Sequence, residues 1–312
     1  MRFTPIPLDG AVALVTGGAR GIGFAIAELL AQQGATVVIA DLYQPDAIEA
    51  ATRIGHGALG LGLDVGDDDA YAAVVEAVEL AVGPIDIVVN NAGIMPVGPV
   101  LEERYGVARA TMEANFWSHY HSYRILAPRM ITRGRGHFIN VTSAAGAIHS
   151  PGLATYVASK HAATGFARSI REELVGTGVT VSAVMPSAVQ TELVSGIPFK
   201  GWERRGIVTP ESVAQRAVGT LRRRPAVVGA PRGTVPAVRA YHIVPEWLWL
   251  LGRRIVGADR TVQPYDKTAR KAYDTRIEMQ VRDDEVPVPD QALPHDGQTK
   301  VRDEGERVAD EA

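Results

Sequence analysis

A phenol, an ammonium and a hydroxyl near the middle of the chain could do acid–base chemistry together. In SAAGAIHSPGLATYVASK, residues 143 to 160, Tyr156 and Lys160 stand at i and i+4, with Ser143 upstream. On a helix that spacing puts both side chains on one face, a turn apart. YVASK holds neither Pro nor Gly, and LATYVASKHAATGFARSIREEL has the pattern of a long amphipathic helix. The ammonium disfavours the neutral phenol, so the Tyr156 pKa is expected to fall below its ordinary value of about 10. Tyr156 would then serve as an acid or base near neutral pH. A Ser143 hydroxyl reaching the same point could hydrogen-bond a substrate oxygen. Surface helices often carry Tyr and Lys at this spacing, so the pair needs something to act upon.

The N-terminal region supplies it. AVALVT, residues 11 to 16, reads as a buried parallel strand. GGARGIG and the helical pattern FAIAELLAQQ follow, with Gly34 as the helix stop and ATVVIAD as the next strand. Strand, Gly-rich turn, helix and strand make a βαβ unit. Gly17, Gly21 and Gly23 permit a tight turn that lets a diphosphate approach the backbone, and the helix N-terminus offers it free N–H groups. Asp41 ends the second strand, where a carboxylate can accept bonds from the adenosine ribose and would repel a 2′-phosphate. That favours NAD. Arg20, inside the turn, points the other way, toward NADP.

The remaining chain repeats the alternation. ALGLGLDV is a strand closed by Asp64 and Val65, beside the place of an adenine ring. Asp67, Asp68 and Asp69 read as a helix N-cap cluster rather than a metal site. IDIVVNNAG is a buried strand ending in Asn90, Asn91, Ala92 and Gly93. EERYGVARATMEANFWSHYHSYRILAPRMI reads as one helix, with Asn115 in its middle, a poor choice unless the amide has a task. His119 and His121 face different sides of that helix, and no third ligand is placed to complete a metal site. Phe116, Trp117, Tyr120 and Tyr123 read with them as a helix–helix or subunit contact. GHFINVTS and GVTVSAVMP are the fifth and sixth strands, with Pro186 as a stop, and PAVVGAP is the seventh. This order implies an α/β fold, a three-layer doubly wound parallel sheet of about seven strands. Gly17, Asp41, Asp64, Asn91, Ser143 and Pro186 all fall at carboxyl ends of strands, where such sheets bind ligands.

Together these residues resemble the short-chain dehydrogenase/reductase family, whose fold is of the Rossmann type. TGGARGIG, including Ile22, matches the cofactor turn, and NNAG matches a structural motif of the family. Asn115, Ser143, Tyr156 and Lys160 match its catalytic tetrad. PSAVQT, from Pro186 through Val189 to Thr191, resembles the loop that binds the nicotinamide amide, with Ser187 where Gly is commonest. The resemblance covers about residues 8 to 230. It implies that Tyr156 exchanges a proton with the substrate oxygen, and that Lys160 lowers the Tyr156 pKa and holds the nicotinamide ribose. Ser143 would polarise the carbonyl, and Asn115 would support a water linking Lys160 to solvent. It also implies a homodimer or homotetramer.

LVSGIPFKGW falls at the family's substrate lid, about residues 190 to 210, and looks mobile and apolar. Leu193, Phe199 and Trp202, with Ile94, Met95 and Ala145, outline a lipophilic pocket or pack as an ordinary loop, and His149 either reaches that pocket or sits on a surface turn. We expect a dinucleotide-binding and catalytic domain over 1–235, a helical amphipathic extension over 236–280 and an acidic, disordered or loosely attached tail over 281–312. Trp247, Leu248, Trp249, Leu250 and Leu251 beside Arg253 and Arg254 have the composition of an interfacial helix over 241–256, or of one packed on the domain or a partner subunit. Similar extensions occur in family members acting on retinoids, steroids or fatty chains, which implies a lipid-like secondary alcohol or ketone.

With 312 residues, 46% hydrophobic and 21% charged, the composition is globular. A formal net charge of -3 gives no case for nucleic acid. The absence of cysteine excludes disulfides, thiolate metal sites and a Cys nucleophile. No apolar signal core opens the sequence and no run is long enough to span a bilayer, so a cytoplasmic protein is expected. A non-catalytic dinucleotide sensor or membrane-associated scaffold is the competing reading, and a scaffold has no need of Tyr156 and Lys160 together. Tyr156→Phe is expected to keep dinucleotide affinity, measured by fluorescence, while kcat falls by roughly 10²–10⁴-fold; retained turnover would refute the acid–base assignment.

Overall fold

The computed structural model describes residues 5–198, 206–245, 247–248, 251–252, 254 and 265–281. Seven parallel strands form one sheet: β1 (Val12–Thr16), β2 (Thr36–Asp41), β3 (Leu59–Gly62), β4 (Ile85–Asn90), β5 (Gly136–Val141), β6 (Val179–Pro186) and β7 (Val227–Ala230). Their spatial order is β3-β2-β1-β4-β5-β6-β7. The order reverses between β1 and β4, which opens a crevice at their carboxyl ends. Every residue of β1, β4, β5 and β6 is buried. Burial on both faces explains why these strands read as unbroken apolar runs instead of alternating ones.

One face carries α1 (Gly21–Gln32), α2 (Gln44–Ile54) and α7 (Pro210–Val218), packed on Ala13, Val15, Val37, Ile39 and Val184. The other carries α3 (Asp68–Ala81), α5 (Ser118–Arg133) and α6 (Ala154–Glu173), packed on Val12, Leu14, Val38, Val88, Phe138 and Val181. Adjacent strand residues thus feed opposite cores, as the period of two requires. Asp67 caps α3 by accepting from the Ala70 amide, as its acidic cluster predicts.

Two elements depart from the sequence reading. The expected single helix around Asn115 is α4 (Tyr105–Met112), a π-helical turn (Glu113–Trp117) and then α5. The wider turn drops an extra residue into the helix and turns Asn115 inward, where it is fully buried. β3 ends at Gly62, so Asp64 and Val65 lie in the loop beyond it.

The C-terminal region contains α8 (Thr220–Arg223), α9 (Thr234–Tyr241) and α10 (Lys267–Glu278). Of the Trp-rich stretch, Trp247, Leu248 and Leu251 are exposed, and Trp249, Leu250 and Arg253 lie outside the described residues. So do Phe199, Trp202 and the tail from 282 onward. Among the described residues no helix is long and apolar enough to cross a membrane.

Thr16 closes the crevice. Its hydroxyl donates to the Val89 carbonyl at 3.2 Å and accepts the Asn91 and Ala92 amides at 3.1 and 3.3 Å. These amides stand just beyond β4, where the ladder can no longer serve them. Thr16→Val keeps the shape and strands both donors, so it should cost about 1–3 kcal/mol, read as a lower urea midpoint with unchanged slope.

Candidate active site

The Gly-rich turn is held from across the crevice. The Asn91 side-chain amide donates to the carbonyls of Thr16 at 3.1 Å and Gly17 at 2.9 Å. A Cβ at Gly23 would lie 2.3 Å from the Gly17 carbonyl oxygen and 2.5 Å from Asn91 Nδ2, so only glycine fits beneath the turn. Gly17 and Gly21 have φ of 61° and 55°, which glycine adopts without strain. Arg20, the residue before α1, makes no side-chain cap, which leaves the first-turn N–H groups of α1 for an anion.

That turn forms one end of a cavity of about 870 Å³, within the usual size of ligand pockets. Of the expected cofactor residues, Gly17, Arg20, Gly21, Ile22, Asp41, Asp64, Val65, Asn91, Ala92, Gly93, Thr191, Tyr156 and Lys160 line it. Gly23, Pro186 and Val189 lie behind this lining. Uncapped amides at one end, a strand-end carboxylate beside them and apolar lining beyond fit a dinucleotide. Asp41 Oδ2 accepts the Ala19 amide at 3.1 Å, and burial pushes its carboxyl upward against the pull of that bond and of Arg20. Arg20 pairs with Asp46 and lies 3.6 Å from Glu192.

At the other end α6 presents Tyr156 and Lys160, both buried. Tyr156 hydrogen-bonds Ser143, whose Oγ also accepts the Ala145 amide at 3.1 Å. Lys160 Nζ donates to the Val141 carbonyl at 3.3 Å and lies 5.9 Å from the Tyr156 ring centre. Asn115 does not line the cavity. Its Oδ1 accepts the Ile94 amide at 2.8 Å, and its Nδ2 donates to the Ile94 carbonyl and to Ser159 Oγ, both at 2.9 Å. The buried amide therefore ties the chain beyond β4 to α6 and positions Lys160 next to Gly93. Those bonds use most of its hydrogen-bonding capacity, leaving little for the expected water.

The expected fall of the Tyr156 pKa is not what the fold produces. Burial raises it, and the Ser143 bond only partly opposes that. Burial also pulls Lys160 down to about 8. Desolvation disfavours both charged forms, and at this separation it outweighs their attraction. His119 lies buried nearby, pushed down to about 3 by burial and by Lys160, and both ring nitrogens lack a protein partner. It is an interior residue of α5. No group of side chains suited to a metal ion occurs among the described residues.

On the substrate side, Ile94 and Leu193 line the cavity, while Met95 packs with Leu153 and Tyr156, and Ala145 lies against them. His149 is a correction: it is exposed, bonded to the Tyr241 hydroxyl, and does not line the cavity. The loop after β5 turns it outward onto α9. Sequence reasoning also missed an entire wall. Tyr273, Arg276, Ile277 and Gln280, from α10 and the turn after it, line the same cavity. Their one signal in the sequence is that Arg270, Tyr273 and Ile277 share a helix face within the expected amphipathic extension.

Crevice, Gly-rich turn and Ser–Tyr–Lys cluster define a nucleotide-dependent oxidoreductase of the doubly wound class. The short-chain dehydrogenase family model matches residues 11–199, more than half of the chain. The chain is 33% identical over 248 residues to the 3-oxoacyl-[acyl-carrier-protein] reductase of Vibrio cholerae, covering 80% of this chain and 96% of that protein. It is 37% identical over 196 residues to the 1-deoxy-11-beta-hydroxypentalenate dehydrogenase of Streptomyces avermitilis, covering 61% of this chain and 73% of that one. Among solved structures, a gluconate 5-dehydrogenase from Burkholderia cenocepacia, in complex with NADP and tartrate, superposes with a TM-score of 0.67 at 27% identity, covering 73% of this chain and 96% of that one. The chain therefore belongs to the short-chain dehydrogenase family, oxidoreductases that use NAD(P).

Lys160 carries a stability cost with a defined sign. Its folded pKa of about 8 lies below the ordinary 10.5, so stability rises with pH across that window and the penalty is fully present below it. Lys160→Met should be more stable than the parent at pH 7 by something on the order of 3 kcal/mol, with the gap closing near pH 11. Denaturant unfolding at both pH values checks this, and a less stable variant at pH 7 would contradict it.

Proposed function

We propose that this protein transfers a hydride between NAD(H) and a lipophilic secondary alcohol or ketone. The observation that carries the reading is one cavity with uncapped helix amides at one end and Tyr156 and Lys160 at the other, with Ser143 bonded to Tyr156 just behind the lining. Bound there, the nicotinamide supplies or accepts the hydride. The chain's own groups handle the proton. In reduction, the Ser143 hydroxyl donates to the carbonyl oxygen and orients it, and the Tyr156 hydroxyl gives that oxygen a proton as the carbon gains hydride. In oxidation the same phenolic oxygen takes the proton back. Its raised pKa keeps Tyr156 protonated at neutral pH, which suits the acid role, and oxidation needs the added positive charge of an oxidised cofactor to favour the phenolate. The Lys160 ammonium favours the same form.

Apolar walls support a lipophilic substrate: Leu193, Val194 and Ile197 pack against Met95, Leu153 and Tyr156 around the reacting end. Two relatives carry in their names an oxoacyl group and a hydroxy acid, both with a carbon at the carbonyl or carbinol level. NAD is favoured because the Asp41 carboxylate lines the cavity beside the Gly-rich turn, where it would repel a 2′-phosphate, and Arg20 in that turn is already paired with Asp46. Exposed Trp117 and Tyr120, stacked edge-on, support a subunit contact and a homo-oligomer.

The test is steady-state turnover with NAD and NADP on secondary alcohols of rising chain length. We expect kcat/KM to favour NAD, to climb with chain length, and to shift toward NADP in Asp41→Ala. Activity that is indifferent to chain length would remove the lipophilic reading, and an NADP preference in the parent would remove the cofactor assignment.

A further inference from the structure

α10 lies outside the residues matched by the family model, yet it crosses the whole site. Arg270 is fully buried on its inner face. Its guanidinium donates to the Leu193 carbonyl at 2.8 Å, reaches the Ser195 carbonyl at 3.5 Å and also donates to the Met95 carbonyl. Asp274, a turn along, lies 2.9 Å from its Nε. One side chain thus joins the lid segment, the loop after β4 and the C-terminal helix. The Tyr273 hydroxyl accepts the Met95 amide at 2.9 Å. Farther along, Arg276 pairs with Glu192, which also faces Arg20, and the Tyr43 hydroxyl meets Met279 Sδ at 3.1 Å. The helix therefore runs from the Tyr156 end of the cavity to the Gly-rich end.

The character of its attachment matters. A buried guanidinium is tolerated only where its donors find acceptors, and here these are main-chain carbonyls of the segments that line the site, with the Asp274 carboxylate beside Nε. The inner face is two polar-tipped side chains, Arg270 and Tyr273, and one aliphatic, Ile277. Tyr273 and Ile277 pack with Ile94, Val107 and Ala114 in a small cluster separate from the two cores against the sheet, and an element held by so small an apolar contact opens locally more readily than one set into a core.

We propose that α10 is a roof over the bound dinucleotide, with Arg270 the positioning residue that holds it shut and Arg276 and Gln280 its contacts to the dinucleotide. The roof excludes water from the reacting end and lifts for dinucleotide exchange. The proposal rests on the dinucleotide reading of the cavity given above.

Hydrogen exchange of the intact chain with and without NADH separates the two ideas. Amides of residues 268–280 should slow by about tenfold or more on binding, together with those of 17–23. Slowing at 17–23 alone overturns the roof and leaves the dinucleotide reading standing. Slowing at neither overturns both. Arg270→Lys keeps the charge and loses the planar fork, and Arg270→Met loses both. In either variant NADH should dissociate about tenfold faster by stopped-flow fluorescence, with the KM for dinucleotide rising more than kcat changes. A merely structural role would lower Tm and leave that rate alone. Should Arg270→Met fail to fold, the Lys variant decides: a parental dissociation rate there overturns the assignment of Arg270.

Discussion

At the carboxyl ends of parallel strands the backbone runs out of sheet partners, and the crevice of this protein depends on how those stranded groups are satisfied. Thr16 serves the amides of Asn91 and Ala92, and Asn91 in return serves the carbonyls of Thr16 and Gly17. Asn115 serves both polar groups of Ile94 and reaches Ser159 on α6. The crevice is thereby given fixed walls by side-chain amides and hydroxyls. Unpaired backbone groups in such a place would cost as much as lost hydrogen bonds. The arrangement that closes the backbone account is the one that aims the Gly-rich turn at Tyr156.

The same burial sets the electrostatics. Lys160 and Tyr156 were brought to one helix face by spacing, but their protonation is decided by the dry medium around them. Burial keeps the phenol protonated and weakens the ammonium. At neutral pH the site therefore holds a neutral phenol beside an ammonium that burial has weakened, and any charge brought to it changes that balance strongly because little water screens it. His119 belongs to the same region: burial and Lys160 together hold it neutral.

The C-terminal helix completes the enclosure from outside the part of the chain shared with the family. It contributes Tyr273, Arg276 and Ile277 to a cavity whose other walls come from strand ends, from α4 and its π-helical turn, and from the segment after β6. Its hold combines hydrogen bonds and ion pairs on carbonyls and carboxylates with a small apolar cluster around Tyr273 and Ile277, whereas α6 packs into the larger core against the sheet.

What the sequence determined by itself was the layered sheet, its seven strands, the Gly-rich turn and the Ser143, Tyr156 and Lys160 constellation. These rest on short periods and local spacing: runs buried on two faces, glycines in a turn, residues one helical turn apart. Asn115 was legible as an oddity, a mid-helix Asn wanting a partner, whereas the π-helical turn that gives it one was not. Only the tertiary structure decided the direction of the Tyr156 pKa, because desolvation sums over everything packed around the ring. It also turned His149 outward onto α9. And it alone placed Arg270, which in KTARKAYDTRIE looks like one more solvated charge. The acceptors that bury it, Met95, Leu193 and Ser195, lie far away along the chain, and no local period encodes a contact between segments so distant in sequence.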